Sequence, residues 1–117
     1  MSDRPVIDLE ELLDNIGRDE QLADMLLERI QQDLPVRLAT LRDALDRGDP
    51  EAAHQVSHPI KGALASVRAV EARECARNLD DAARTGDLAT ARACLPGLEQ
   101  AAERLEAAIK ARRARTS

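Results

Sequence analysis

Phenylalanine, tyrosine and tryptophan are all absent from this chain of 117 residues. That excludes a core built on ring packing and removes side chains that commonly anchor protein interfaces. No apolar run approaches the ~18 residues of a membrane-spanning helix, and no charged start followed by an apolar stretch and cleavage site marks a secretory signal. A cytoplasmic protein without membrane contact is therefore expected. Cysteine occurs only twice, at Cys75 and Cys94, too far apart for a Cys-x-x-Cys motif. Each lies among alanines, which predicts small, reduced, partly apolar packing residues and no disulfide. An excess of basic charge is lacking too: 17 Lys and Arg face 22 Asp and Glu, for a net charge of -5. The protein as a whole has no pull toward nucleic acid.

What remains is 44% hydrophobic, dominated by alanine and leucine, which are the materials of helix bundles. The length suits one domain. Asp8 to Glu11 carries the aspartate and third-following glutamate of a capping box, and Leu9, Leu12, Leu13 and Ile16 follow at helical spacing. This predicts a short first helix ending near Gly17. Asp19 can cap a long second helix, whose apolar stripe from Leu22 to Leu45 survives Pro35 with a kink or brief break. Gly48-Asp49-Pro50 reads as stop, cap and restart, so a third helix runs from Pro50 to about Arg68. A fourth covers about Val70 to Arg84, and a fifth runs from the Asp87 cap toward Arg112, with a kink at Pro96-Gly97. The expected fold is all-α: one domain over residues 1–117, an antiparallel four-helix bundle with a short extra N-terminal helix. Its ordered core is about 6–112, and disorder is expected at Met1–Pro5 and in the last few residues. The basic run Lys110 to Arg115 is read as a solvated end complementing the last helix's negative pole.

The third helix carries the chemistry. Val56, Ile60, Leu64 and Val67 form its apolar stripe, and at about 100° per residue His58 lies roughly 160° from both Val56 and Ile60. It points to water. Glu51, His54, Gln55, Lys61, Gly62 and Ala65 fall within about 60° of it, so the histidine stands on a polar face whose C-terminal half is small-residue surface. Glycine inside a helix costs about 0.5–1 kcal/mol, so Gly62 implies close approach of another molecule. Lys61 is expected to lean back across His58. A fixed ammonium there repels a protonated ring but balances a phosphoryl group carried on a ring nitrogen. Two other readings of the same residues are a scaffold or dimerisation bundle and a metal site on Glu51, His54 and His58. The metal reading lacks a His-Glu-x-x-His pattern, and Lys61 would repel a cation.

His58-Pro59-Ile60-Lys61-Gly62 resembles the His-x-x-Lys-Gly signature of histidine-containing phosphotransfer (HPt) domains. The layout is similar too: Ile7-Asp8-Leu9 at the start, a long helix from Leu22 to Leu45, the Gly48-Asp49 break, small residues from Ala63 to Ala69, and the Gly86-Asp87 turn. The resemblance covers nearly the whole chain. It implies that His58 is the phosphoacceptor, Lys61 its charge partner and Gly62 the opening for a receiver domain's aspartate. Gln55, His54, Ala65 and Arg68 then belong to the receiver-docking surface. His54 lacks a lysine three residues on and a glycine four on, so it is assigned a supporting place. The implied protein is a phosphocarrier in a two-component phosphorelay, not an enzyme: no Gly-rich nucleotide loop is present. It would have no cofactor of its own, the receiver supplying Mg²⁺, and would act as a monomer, free-standing or as the C-terminal module of a hybrid sensor kinase. Three positions depart from the family pattern: Pro59 stands where an ordinary helix former is usual, Ala65 where glycine is frequent, and Arg68 where glycine is common.

Overall fold

The computed structural model describes residues 6–116. Five helices follow in order: α1 (Leu9–Asn15), α2 (Glu20–Asp46), α3 (Pro50–Ser66), α4 (Val70–Arg84) and α5 (Leu88–Thr116). Among the described residues there is no strand. The disorder expected at Met1–Pro5 lies outside the described residues, and α5 runs a turn past Arg112. Aspartates start four of the helices: Asp8, Asp19, Asp49 and Asp87 each accept the backbone N–H three residues on, at 3.0–3.1 Å. Only half of the predicted capping box forms. The Asp8 N–H donates to the Arg68 carbonyl at 2.8 Å, and the Glu11 carboxylate turns to Arg68 Nε at 3.0 Å.

Helix ends follow one pattern. After α2, Gly48 sits at φ +70°, with Gly48 N–H donating to Leu45 O and Asp49 N–H to Ala44 O. These paired bonds satisfy carbonyls that the helix leaves open and require a left-handed residue, which glycine supplies without a Cβ clash. The same pair closes α3, from Arg68 N–H to Ala65 O and Ala69 N–H to Leu64 O, but there Arg68 holds the left-handed position at φ +56°. The helices continue through Pro35, Pro59 and Pro96. The break considered at Pro35 does not occur, because the apolar stripe on both sides of it stays packed: Ile30, Leu34 and Leu41 are all buried.

Packing arises from these stripes. α2 touches α3 and α5, and α4 touches α3 and α5, so the four long helices close a ring. Leu27, Leu41, Leu45, Ile60, Leu64, Leu79, Leu98, Leu105 and Ile109 fill its interior, each worth about 1.5–3 kcal/mol when fully buried. α1 adds Leu12 and Leu13 to the same core. α2 and α5 run in opposite directions: Asp24 meets Arg112, whereas Arg42 meets Glu99 and Leu45 O accepts from Arg92. The tail arginines are thus used in part to pair with α2, Arg112 with Glu20 and Asp24 and Arg113 with Gln31 and Glu28. α3 and α4 also pack against each other; α3 buries Ala53, Ser57, Ile60 and Leu64, and the buried face of α4 is rich in alanine, with Ala72, Ala76, Ala82 and Ala83 beside Leu79 and Asp80. Small side chains allow close axes. Cys75 and Cys94 are half-buried and pack against the core.

Candidate functional site

On α3 the buried line is Ala53, Ser57, Ile60 and Leu64, with Val67 just beyond the helix end. Val56, expected in the apolar stripe, is only half-buried. The difference is a rotation of the helix that puts the Ser57 hydroxyl inside and lifts His58 onto the surface, where 64% of its side chain is exposed. Ser57 is buried for a reason. Across the seam, α4 places Asp80 in its alanine-leucine stripe, with its side chain only 2% exposed.

Asp80 gathers the site. Its Oδ1 accepts the Ser57 hydroxyl at 2.7 Å and lies 2.8 Å from His54 Nδ1. Its Oδ2 lies 3.1 Å from Lys61 Nζ and 3.5 Å from His58 Nδ1. Burial pushes the Asp80 carboxyl up, yet the hydrogen bonds from Ser57, Lys61 and His54, with the Lys61 charge, outweigh it and bring it down to about 2. The carboxylate is therefore ionised and can only accept, so the proton on the close His54 ring sits at Nδ1. His58 presents the same edge to Asp80 at longer range, so its Nε2 lies on the side of the ring away from that carboxylate, on a side chain that is largely exposed. The two imidazoles lie side by side, ring centroids 5.6 Å apart and planes inclined by 47°.

The remaining sequence-predicted residues surround this pair. Gly62 is exposed, and a Cβ built on it would meet nothing within 4 Å. Gln55 is exposed and Ala65 half-buried on the same helix. The Lys61 ammonium lies 3.1 Å from Asp80 Oδ2, the same oxygen that His58 Nδ1 faces at 3.5 Å. Arg68 is drawn away toward Glu11 and the Ala65 carbonyl, 2.7 Å from its guanidinium. Glu51 stays exposed, and the described residues contain no group of three or more His, Cys, Asp or Glu placed to hold a metal ion. Asp80 was missed by the sequence reading. A carboxylate inside the stripe Ala72, Ala76, Leu79 and Ala83 was the signal that could have found it, since a lone acid in an apolar face needs partners.

These features define a small helical protein with an exposed imidazole whose Nδ1 edge faces a buried carboxylate. The Hpt domain family model matches residues 25–108, and the chain belongs to that family. It is also similar to the crystal structure of histidine-containing phosphotransfer protein B (HptB) from Pseudomonas aeruginosa PAO1. The TM-score is 0.86, with 28% identity over 95% of this chain and 96% of that one. No curated protein matches the chain. Its role is phosphotransfer in a two-component phosphorelay, as a carrier that meets receiver domains and not as an enzyme.

Proposed function

We propose that His58 carries the phosphoryl group, on Nε2, and exchanges it with a receiver-domain aspartate. The observation that supports this reading is the exposed Nε2 edge of His58 beside the open surface at Gly62, with Nδ1 turned toward the Asp80 carboxylate. With its proton at Nδ1, the neutral ring has its lone pair at Nε2, the nitrogen that an incoming aspartyl phosphate can reach. In the transfer the P–O bond to the receiver aspartate breaks as the N–P bond forms. The aspartate leaves as a carboxylate, and the His58 ring keeps its Nδ1 proton and gains a positive charge. Asp80 balances that charge. Lys61 has three donors, of which Asp80 takes one, leaving two for the phosphoryl oxygens.

Gln55, His54, Gly62 and Ala65 line the surface on which the receiver would rest, with Arg68 at its far end. The receiver brings the Mg²⁺. The architecture we assign is an antiparallel four-helix bundle with a short N-terminal helix, a single domain working as a monomer in the cytoplasm. It serves either on its own or as the last module of a hybrid sensor kinase.

The test is incubation with a phosphorylated receiver domain and Mg²⁺, followed by assay for acid-labile, base-stable label. Wild type is expected to take label and His58→Gln to take none. Label that survives in His58→Gln and disappears in His54→Gln would move the acceptor to His54. No label in wild type across several receivers would favour a scaffold.

A further inference from the structure

We infer that His54 is a second member of the phosphoryl site: once His58 is phosphorylated at Nε2, the His54 ring takes up a proton at its own Nε2 and donates it to a phosphoryl oxygen. This rests on the reading of His58 as phosphoacceptor.

The geometry carries it. Both rings face one carboxylate through Nδ1, at 2.8 Å for His54 and 3.5 Å for His58, so each Nε2 lies on the side of its ring away from Asp80. With ring centroids 5.6 Å apart, His54 is the ring neighbour of any group that His58 carries. The shorter, better-formed bond to Asp80 belongs to His54, which is fixed by its neighbours, with 35% of its side chain exposed. A neutral His54 turns a lone pair toward the phosphoryl oxygens. Adding one proton from solvent converts that repulsion into a charge-assisted hydrogen bond, and the Asp80 carboxylate at Nδ1 supports the resulting imidazolium. No electrons move, and the transfer chemistry is otherwise as written above.

The charged surroundings do not cancel the effect. On α3, His58 is the ring neighbour, Glu51 precedes His54 on the same face, and Lys61 sits on the other Asp80 oxygen, opposing uptake from behind the carboxylate. On α4, Arg77 and Arg84 flank Asp80 by one turn, and each has an acidic partner, Glu74 and Asp81. α2 presents Arg29, Asp33 and Arg37 on the other flank of α3, beside Ile60 and Ala63. The nearest new charge on His54 is the phosphoryl group. By linkage, phosphorylation tightens proton binding at His54, and proton binding at His54 favours the phosphorylated form by the same factor.

The experiment uses the full chain, labelled with ¹⁵N and phosphorylated chemically with phosphoramidate, so no receiver has to be found. Ring signals of both histidines and the ³¹P signal are followed from pH 5 to 9 with and without phosphoryl. We expect the phosphoryl group on His58 and the His54 ring titrating at higher pH in the phosphorylated protein. The expected move is about half to one pH, or three- to tenfold tighter proton binding. We also expect a ³¹P inflection following His54 that is missing from His54→Gln. Phosphoryl on His58 with His54 titrating identically in both forms would overturn the inference and leave His58 as acceptor. Phosphoryl absent from His58 would overturn both. The wild-type comparison decides the matter whether or not His54→Gln folds.

Discussion

Asp80 has donors from three α3 side chains within 3.1 Å and a fourth, His58, at 3.5 Å. Its folded carboxyl titrates at about 2, below the ordinary 3.8. A carboxyl lowered on folding adds stability that is complete above its unfolded value and lost as pH falls through the folded one. The window is thus about pH 4 down to 2, and the amount about 2 kcal/mol. Urea unfolding at pH 7, 4, 3 and 2 should show wild type losing about 2 kcal/mol more than Asp80→Asn across that window, with Asp80→Asn the less stable protein at neutral pH. Equal losses would mean that the carboxylate contributes nothing through its ionisation. The shared face of His58, Lys61 and Gly62 was legible in sequence, because the period of α3 puts them together. The carboxylate was not. It lies on another helix, and a face calculation on α3 gives no information about what α4 places against it. For the same reason the period of α3 gives the place of Lys61 on its face but not its ion pair with Asp80.

At the scale of the helix, the ends were legible where residue type dictates them. Aspartate caps and the glycines at Gly48 and Gly86 gave boundaries within a residue or two, since the bonds that close a helix are local. At Pro35 the brief break is absent, because the freed backbone bond is outweighed by burial on either side. Arg68 is the instructive exception. Its φ of +56° places a Cβ in the conformation that disfavours it by about 1–2 kcal/mol. The residue keeps its place with an ion pair to Glu11 and a hydrogen bond to Ala65 O. Arg68→Ala and Arg68→Gly both remove those contacts, so their difference isolates the backbone. Arg68→Gly should be the more stable by about 1 kcal/mol in thermal or urea unfolding. No difference would show that the turn relaxes away from the left-handed region when the side chain is removed.

The whole molecule measures 43 × 27 × 22 Å, its long axis matching the roughly 43 Å of the 29-residue α5. Its helices satisfy one another's apolar faces within a single ring. Large exposed apolar side chains among the described residues are Leu22, Met25 and Val36, all on α2. Three side chains fall well short of the roughly 1,000 Å² that a stable association needs. Sedimentation should give one species near 12.8 kDa, before and after phosphorylation. A species of twice that mass would favour the dimerisation reading of the same helices. Among the described residues no helix is long and apolar enough to cross a membrane.

The seam between α3 and α4 has one further consequence. The small alanines on the buried face of α4 offer little to stop one helix sliding past the other, while the bonds from Ser57, His54 and Lys61 to Asp80 tolerate no such slide. The carboxylate is therefore a register pin, holding two smooth cylinders at one setting. A shift of a single turn, about 5.4 Å, would part every donor from its acceptor at once. The placing of the surface imidazoles is in this sense a gauge of alignment in the interior, and a substitution that loosens the seam would displace them while the helices remained intact.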